Sequence, residues 1–129
     1  MGLSVDEAST SGSIPKIAIV SRPKSHKLLS GEVMEREKVD VVVRALSVGQ
    51  PHKAVPVTVA MAIAAAADVK GSVVQRCVDE KRVDKQGLTV GHSSGKILVG
   101  SRFDEGGKLS HITVYRTARR LMEGMVYWK

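Results

Sequence analysis

The chain has 129 residues, of which 43% are hydrophobic, so it can form one globular domain with a packed core but not two domains of ordinary size. It carries 20 lysine and arginine residues against 13 aspartate and glutamate residues, and this charge of +7 favours a polyanionic partner, with a basic surface that serves only solubility as the alternative. Aromatic residues make up 3%, which argues against a surface of stacked rings, and the one cysteine, Cys77, excludes a disulfide framework or cysteine-rich zinc site within the chain.

The first segments of the chain predict a tail and then a short buried strand. Residues 1–14 are rich in serine and glycine, which predicts a flexible tail without a secretory signal. The apolar run Ile17–Val20 predicts the first strand, and Pro23 ends it because the residue before a proline avoids helical backbone angles. Three basic residues cluster at this point, namely Arg22, Lys24 and Lys27. They are interpreted either as part of a solvated loop or as a phosphate contact beside the end of the strand.

A modest apolar stripe predicts a helix over residues 25–38. The stripe consists of Leu28, Leu29, Val33 and Met34. Gly31 weakens this helix, since glycine costs about 1 kcal/mol relative to alanine in a helix interior. The helix is therefore expected either to span most of the segment or to start after Gly31, with Ser30 as its N-cap.

The central stretch predicts a buried strand that leads into an apolar helix. The strand is placed at Val39–Ala45, because its run of three valines suits a position inside a sheet. Pro51 fits the first turn of the following helix, whereas Pro56 is expected to kink or delay it. The helix continues to Ala67 and is apolar on nearly all sides, which predicts a partner subunit on the side that the sheet leaves open.

The second half predicts two more strands, separated by a long glycine-rich segment. Residues 72–83 are predicted as a third strand that becomes charged midway. Residues 86–108 are predicted as a protruding arm, in which residues 96–99 pair as a strand. Strict alternation over His111–Arg116 predicts the last strand, and residues 118–129 form a basic, partly helical tail.

The predicted elements follow one another in the order β-α-β-α-β-β. This order predicts an α+β two-layer sandwich, in which a four-stranded sheet carries two helices on one face and a glycine-rich β-hairpin arm. The domain is expected to span residues 15–117, between the two tails.

The order of elements and several short motifs resemble the Alba family of DNA- and RNA-binding proteins over residues 16–117. Ser21–Lys24 stands where the family has a Gly-Lys-Lys-Pro-type loop, although the lysine pair is reordered to Arg-Pro-Lys here. Val41–Ala45 precedes Lys53–Val55 as the family's second strand precedes its Lys-Ala-Val helix. Val99–Ser101 is similar to the family's Val-Gly-Ser step in the arm, and the arm region is longer than in archaeal members.

The resemblance implies both a fold and a function. The fold would be Alba-like, similar to the C-terminal domain of translation initiation factor 3. The function would be binding of RNA, or of DNA, along the phosphate backbone by a homodimer or a heterodimer with another Alba-type chain. Small eukaryotic members, the trypanosomatid ones in particular, imply post-transcriptional or translational regulation in the cytoplasm, with the nucleus as a second location. The alternatives are a subunit of a ribonucleoprotein such as a ribonuclease P-like complex, and a chromatin protein.

Nine basic residues are predicted to contact the nucleic acid. Arg44 and Lys53 flank the junction of strand and helix, where backbone N–H groups and a cation suit a phosphate. The resemblance adds positions in the first loop and the arm, and the last strand contributes one more. The complete set is Arg22, Lys24, Lys27, Arg44, Lys53, Lys96, Arg102, Lys108 and Arg116.

The remaining motifs do not predict an enzyme. Gly91–Lys96 resembles a phosphate-binding loop, but Ile97 follows the lysine, where the Walker pattern requires serine or threonine. The histidines are too far apart in sequence for a metal-ligand motif: His26, His52, His92 and His111. No apolar segment has the length of a membrane span. We therefore predict no catalytic site, no cofactor, no metal site and no membrane partner.

Overall fold

Valine-rich segments form a sheet at the centre of the molecule, because β-branched side chains suit a pleated surface that is buried on both faces. The computed structural model describes residues 16–47, 49–117 and 122–128. The strands are β1 (Ile17–Ser21), β2 (His26–Lys27), β3 (Val33–Met34), β4 (Val41–Ser47), β5 (Gln50–Pro51), β6 (Leu88–His92), β7 (Gly95–Phe103) and β8 (Leu109–Tyr115). The helices are α1 (Val57–Ala67) and α2 (Val73–Cys77), with a 3₁₀ turn at Arg36–Lys38.

Six of the strands form one mixed sheet in the order β1-β4-β6-β7-β8, with β5 paired to the end of β4. Strands β4 and β6 are parallel, with Val42 opposite Gly91, and all other pairs are antiparallel. Because β1 occupies one side of β4, β5 lies on the other side, beyond the carboxyl end of β6. The remaining strands, β2 and β3, form a separate hairpin.

Side chains of β4 are buried on both faces of the sheet. Val41 and Val43 belong to the main core, which they share with Ile63 and other residues of α1. Val42 points to the opposite face and belongs to a second, smaller core with Met34. Burial of each such side chain contributes about 1.5 to 3 kcal/mol, so the helices and the β2–β3 hairpin are both held to the sheet by apolar contacts.

The carboxylate of Asp40 joins three parts of the chain just before β4. Asp40 is 0% exposed, and its two oxygens accept hydrogen bonds from the backbone N–H groups of Val83, at 2.7 Å, and Thr89, at 2.6 Å. The backbone N–H of Asp40 also donates to the carbonyl of Thr89 at 2.8 Å. A buried carboxylate is tolerated here because both of its oxygens are hydrogen-bonded. These bonds fix β6 and the connection before it against the start of β4.

The prediction of a helix over residues 25–38 is wrong. The segment forms the β2–β3 hairpin and the 3₁₀ turn. Gly31 lies in the hairpin turn with a φ of 93°, a left-handed conformation that favours glycine and interrupts a helix. The predicted apolar stripe is divided in the hairpin, since Met34 is buried whereas Leu29 and Val33 are exposed.

The predicted third strand at residues 72–83 is also wrong, because the segment begins with helix α2. The side chain of Ser72 caps this helix by accepting a hydrogen bond from the N–H of Gln75 at 3.0 Å. The side chain of Gln75 accepts in turn from the N–H of Gly71 at 2.7 Å. This Ser-x-x-Gln arrangement resembles a capping box, a helix signal that outweighs the β-branched pair Val73 and Val74.

The glycine-rich segment is part of the sheet instead of a protruding arm. Its residues form β6 and β7, two central strands. A Cβ atom at Gly87 would lie 2.5 Å from the carbonyl oxygen of Val99, so this glycine permits a close approach of two strands. The predicted four-stranded α+β sandwich with two helices on one face and a β-hairpin arm is therefore wrong.

Several predictions are confirmed. Strands β1, β4 and β8 lie close to the segments predicted from their apolar patterns, and residues 96–99 lie within β7. Helix α1 starts directly after Pro56, so this proline delays the helix to Val57.

The tail predicted at residues 1–14 lies outside the described residues, and the domain limits 15–117 stay a prediction. Residues 122–128, in the tail predicted at 118–129, contain no helix or strand. In the described part of the chain, neither helix is long and apolar enough to span a membrane.

We expect the Asp40→Ala substitution to lower the free energy of unfolding by about 3 kcal/mol or more, because the buried N–H group of Thr89 and the partly buried N–H group of Val83 would lose their acceptors. Asp40→Asn, which keeps one acceptor oxygen, should cost less. Urea denaturation measures both losses, with Glu105→Ala in the exposed β7–β8 turn as the control. If Asp40→Ala lowers the free energy of unfolding no more than this control does, the carboxylate of Asp40 does not stabilise the fold.

We expect Gly91→Ala to destabilise the protein by about 1 to 3 kcal/mol through overpacking. The added methyl group would lie 2.9 Å from a Cγ atom of the buried Val39 and 3.3 Å from Cε1 of His26. Gly106→Ala is the matched control, since the nearest atom to its new methyl group is a flexible carboxylate oxygen of Asp104 at 3.4 Å. Equal midpoints of urea denaturation for the two variants would exclude this close contact between hairpin and sheet.

Candidate functional site

The carboxyl ends of β4 and β6 lie at the same edge of the sheet, because these two strands are parallel. In sheets with parallel strands, ligands bind preferentially at this edge. The last pair of the register is Val42 and Gly91, so the residues that follow each of them lie at this edge. Polar residues that follow the two strands are therefore brought together, although 49 positions separate them in the sequence.

The turn from His92 to Gly95, between β6 and β7, is held from two sides. The hydroxyl of Ser94 donates a hydrogen bond to the carbonyl oxygen of Lys53 at 2.6 Å, which ties the turn to the segment before α1. The N–H of Leu29, in the β2–β3 hairpin, donates to the carbonyl oxygen of Ser93 at 2.8 Å. The turn is thus fixed relative to both the hairpin and the start of α1.

The short strand β5 places Lys53 at the same edge. Immediately after β5, the N–H of His52 donates to the carbonyl oxygen of Ala45 at 2.8 Å. The ring of His52 is hydrogen-bonded through Nε2 to the hydroxyl of Ser47, also at 2.8 Å. The chain therefore turns back along the end of β4 and passes the β6–β7 turn before α1 begins.

The amino-terminal end of α1 contributes partial positive charge to this edge. Pro56 occupies the N-cap position, has no N–H group and makes no side-chain cap, and the first turn contains no acidic residue. The N–H groups of the first turn are left without helical acceptors, and together with the helix dipole they favour a negative charge. Val57, the first helical residue, lines the same cleft as His92 and Lys96.

This cleft has a volume of about 610 Å³. Its wall combines apolar residues, among them Val55, Ile97 and Leu98, with polar and charged residues. Lys96 and Arg116 are its lysine and arginine residues, and Asp84 is the one acidic residue among the described residues that line it. Asp84 already accepts a hydrogen bond from the N–H of Gln86 at 2.8 Å. The cleft therefore suits an anion of small size that also has apolar parts.

His92 has the most distinctive electrostatic environment at this edge. Burial and the positive charges of Arg44 and His26, in that order, lower the pKa of His92 below its usual value of 6.5. The N–H of Ser94 donates to Nδ1 of His92 at 3.1 Å. The neutral ring is thus favoured at neutral pH, and it keeps its proton on Nε2.

His26 contributes to this environment from the β2–β3 hairpin. Its Nδ1 donates to the carbonyl oxygen of Lys24 at 3.0 Å, because a carbonyl can only accept. Its Nε2 is buried and has no hydrogen-bond partner in the described structure. The ring lies against Gly91, directly before His92 in β6.

Four of the nine residues predicted to contact nucleic acid lie at this edge. Lys96 and Arg116 line the cleft, the carbonyl of Lys53 binds the turn, and Arg44 acts electrostatically on His92. The others are dispersed: Arg22 lines a separate cleft beside α2, Arg102 lies in a cleft at the opposite end of β7, and Lys108 is in the β7–β8 turn. Lys24 and Lys27 are exposed in and before β2. The nine residues therefore do not all lie at one edge of the sheet.

His26, His92 and Ser94 were not predicted as site residues from the sequence. The histidines are far apart along the chain, and Gly91–Lys96 departs from the Walker pattern. The sequence signal that could have located the site is the turn Ser93-Ser94-Gly95, which lies between two strands and follows a histidine. The residues that contact this turn come from distant segments of the chain, so the sequence does not show them together. Within the described ranges, no three or more histidine, cysteine or acidic residues are grouped as a metal site.

Comparison with known proteins identifies relatives along nearly the whole chain. The sequence profile of the family described as "PrpF protein" matches residues 1–129. The 2-methyl-aconitate isomerase of Shewanella oneidensis is 40% identical over 125 residues, and the match covers 95% of this chain and 31% of that protein. The 3-methylitaconate isomerase of Eubacterium barkeri is 33% identical over 118 residues, with coverage of 91% and 30%. The chain thus spans about a third of the length of these curated relatives.

The fold agrees with these relatives. A crystal structure of methylitaconate-delta-isomerase superimposes with a TM-score of 0.75 and 30% sequence identity, and it covers 91% of this chain and 30% of that chain. The mixed six-stranded sheet with two helices therefore has the fold of the matched part of this isomerase, and the assignment to an Alba-like fold is wrong.

The functional predictions that depended on the Alba resemblance are wrong as well. Val99–Ser101, taken for a motif of the arm, lies within the central strand β7, and the hydroxyl of Ser101 is hydrogen-bonded to Asp68 after α1. Binding of RNA or DNA, a dimer with an Alba-type chain and a non-enzymatic role are contradicted by relatives that are named isomerases. The cytoplasmic or nuclear location stays a prediction. The match over the entire sequence establishes that the chain belongs to the PrpF protein family.

Proposed function

We propose that the chain forms a carboxylate-binding part of an isomerase that acts on small, methyl-branched, unsaturated polycarboxylates. The observation that carries this proposal is the cleft at the start of α1, where a helix N-terminus, Lys96, Arg116 and the ring of His92 surround a partly apolar wall. The names of the relatives supply the class of substrate, since 2-methylaconitate and 3-methylitaconate are both unsaturated polycarboxylates.

The charge and shape of the cleft fit this class. The carboxyl groups of such compounds are ionised at neutral pH, because their unperturbed pKa values are near 4. Lys96, Arg116 and the N–H groups at the start of α1 supply complementary positive charge and hydrogen-bond donors. The apolar wall, which includes Val55 and Ile97, suits the methyl and alkene carbons.

The same groups support the chemistry of an isomerisation. Shifting a double bond in such a compound removes a proton from the allylic carbon and returns a proton to another carbon. Negative charge spreads onto the conjugated carboxylate between these two steps. Fixed donors and cations around that carboxylate stabilise the developing charge without rearranging, which lowers the barrier. In this proposal Lys96, Arg116 and the start of α1 bind and stabilise the carboxylate.

We expect Lys96→Gln to raise the dissociation constant for trans-aconitate or itaconate about fivefold or more, because it removes a positive charge from the cleft. The measurement is a titration of the ¹⁵N-labelled chain followed by NMR, which detects weak binding and locates it by the shifted amides. In the wild type, the amides of Val57, His92 and Lys96 should shift.

Lys108→Gln is the matched control, since it removes the same charge from the exposed β7–β8 turn, and its effect should stay below about twofold. The proposal fails if the two variants weaken binding equally. It also fails if the shifted amides surround Arg102 at the opposite end of β7 instead of the start of α1.

A further inference from the structure

We propose that His92 binds the ligand as a neutral hydrogen-bond donor through Nε2, and that Ser94 is the positioning residue that holds the ring in this state. The identity of the ligand as a carboxylate rests on the proposed function. The state of the ring does not, because it follows from contacts within the chain.

The tautomer of His92 follows from the hydrogen bond at its Nδ1 atom. The N–H of Ser94 lies 3.1 Å from Nδ1, and a backbone N–H can only donate. Nδ1 must therefore be the acceptor and carries no proton. A neutral ring then has its proton on Nε2, so this atom is the one able to donate to a ligand.

The position of the Ser94 N–H depends on the contacts of its own side chain. The Ser94 hydroxyl donates to the carbonyl oxygen of Lys53 at 2.6 Å, and this bond joins segments 41 residues apart in the sequence. Gly95 follows with a φ of 141°, which lets the chain reverse directly after Ser94. Loss of the hydroxyl would free the turn from Lys53 and weaken the alignment of the N–H with the ring of His92.

Charged neighbours from several elements favour the neutral ring. Arg44 on β4 and His26 on β2 both oppose a positive charge on His92. The other charged residues that share the cleft with His92 are Lys96, Arg116 and Asp84, and the first two are also cations. A third cation in this space would be repelled, whereas a neutral donor adds a hydrogen bond to a carboxylate without repulsion.

A neutral imidazole suits this role in an isomerase. It donates to a carboxylate oxygen while charge develops there, and it need not first be protonated from solvent. A typical hydrogen bond of this kind corresponds to about a fivefold change in affinity. The cations of the cleft supply the long-range attraction, and His92 fixes the direction of one oxygen.

The first test is the ring itself, measured in the wild-type chain without ligand. Long-range ¹H–¹⁵N correlation spectra at pH 7 should show His92 with an unprotonated Nδ1 and a protonated Nε2. A protonated Nδ1, or a doubly protonated ring at this pH, would overturn the proposal even if carboxylates bind.

The second test is Ser94→Ala, which removes the hydroxyl but keeps the backbone N–H. We expect the His92 signals to move towards a mixture of tautomers and the dissociation constant for trans-aconitate to rise about threefold to fivefold. Ser94→Thr should keep the wild-type tautomer of His92 and the wild-type affinity. Ser110→Ala, on the exposed strand β8, should change neither the tautomer nor the affinity. Unchanged tautomer and affinity in Ser94→Ala would remove Ser94 from the positioning role.

The third test is the pH dependence of binding, compared between the wild type and His92→Gln. Because burial and the positive charge of Arg44 lower the pKa of His92, the neutral ring predominates at pH 7.5 and at pH 7.0. The dissociation constant of His92→Gln for trans-aconitate, divided by that of the wild type, should therefore change little between these two pH values. A quotient that increases as the pH falls would show a charged ring and overturn the proposal.

The outcomes separate this inference from the proposed function. If trans-aconitate and itaconate shift no amide at the start of α1 while His92 shows the expected tautomer, the proposed substrate class is wrong, and the donor role falls with it. If both compounds bind at the cleft while His92 carries its proton on Nδ1, the substrate class stands and the assignment of His92 and Ser94 is wrong.

Discussion

The buried carboxylate of Asp40 is the constraint on which the rest of the arrangement depends. Its two oxygens bind the backbone at Val83 and at Thr89, so they fix both the connection that follows α2 and the start of β6. The parallel alignment of β4 and β6 starts from these contacts, and it decides which residues meet at the far ends of the two strands. A shift of one residue would turn every side chain of β6 to the opposite face and would remove His92 from its neighbours.

The candidate site forms where four separate stretches of chain reach the same edge of the sheet. The hairpin supplies His26 and the amide of Leu29, β4 supplies Arg44, and the β6–β7 turn supplies His92 and Ser94. The stretch before α1 joins them through the carbonyl of Lys53. Apolar contacts on both faces of the sheet hold these stretches in place, so the two apolar cores position the polar edge without forming part of it. Because the cations of the site lie outside these cores, they can be close together without disturbing the packing of the cores.

The sequence predicted those elements whose residues alone determine their structure. The run Ile17–Val20 lies in a strand, as do all residues of the run His111–Arg116 except the last, and Pro56 limits α1, because these patterns are local. The glycine-rich segment was misjudged because Gly87 and Gly91 are required by close contacts with Val99 and Val39, which only the folded chain reveals. The net charge of +7 was taken to indicate one basic surface, but the predicted contact residues lie at both ends of the sheet and beside α2. The site itself depends on hydrogen bonds between residues 41 and 64 positions apart, Lys53 with Ser94 and Leu29 with Ser93, so no short motif encodes it.

The long separation of Asp40 and Thr89 in the sequence, 49 positions, also bears on how the molecule folds. Closing a loop of this length costs conformational entropy before any contact is gained, and parallel strand pairs form late for this reason. The hydrogen bonds within helix α1 and within the β6–β7 hairpin are local, so these two elements are able to form first. A partly folded chain would therefore possess most of its secondary structure but not the cleft at the start of α1, and the affinity for the proposed ligand would report the last step of folding.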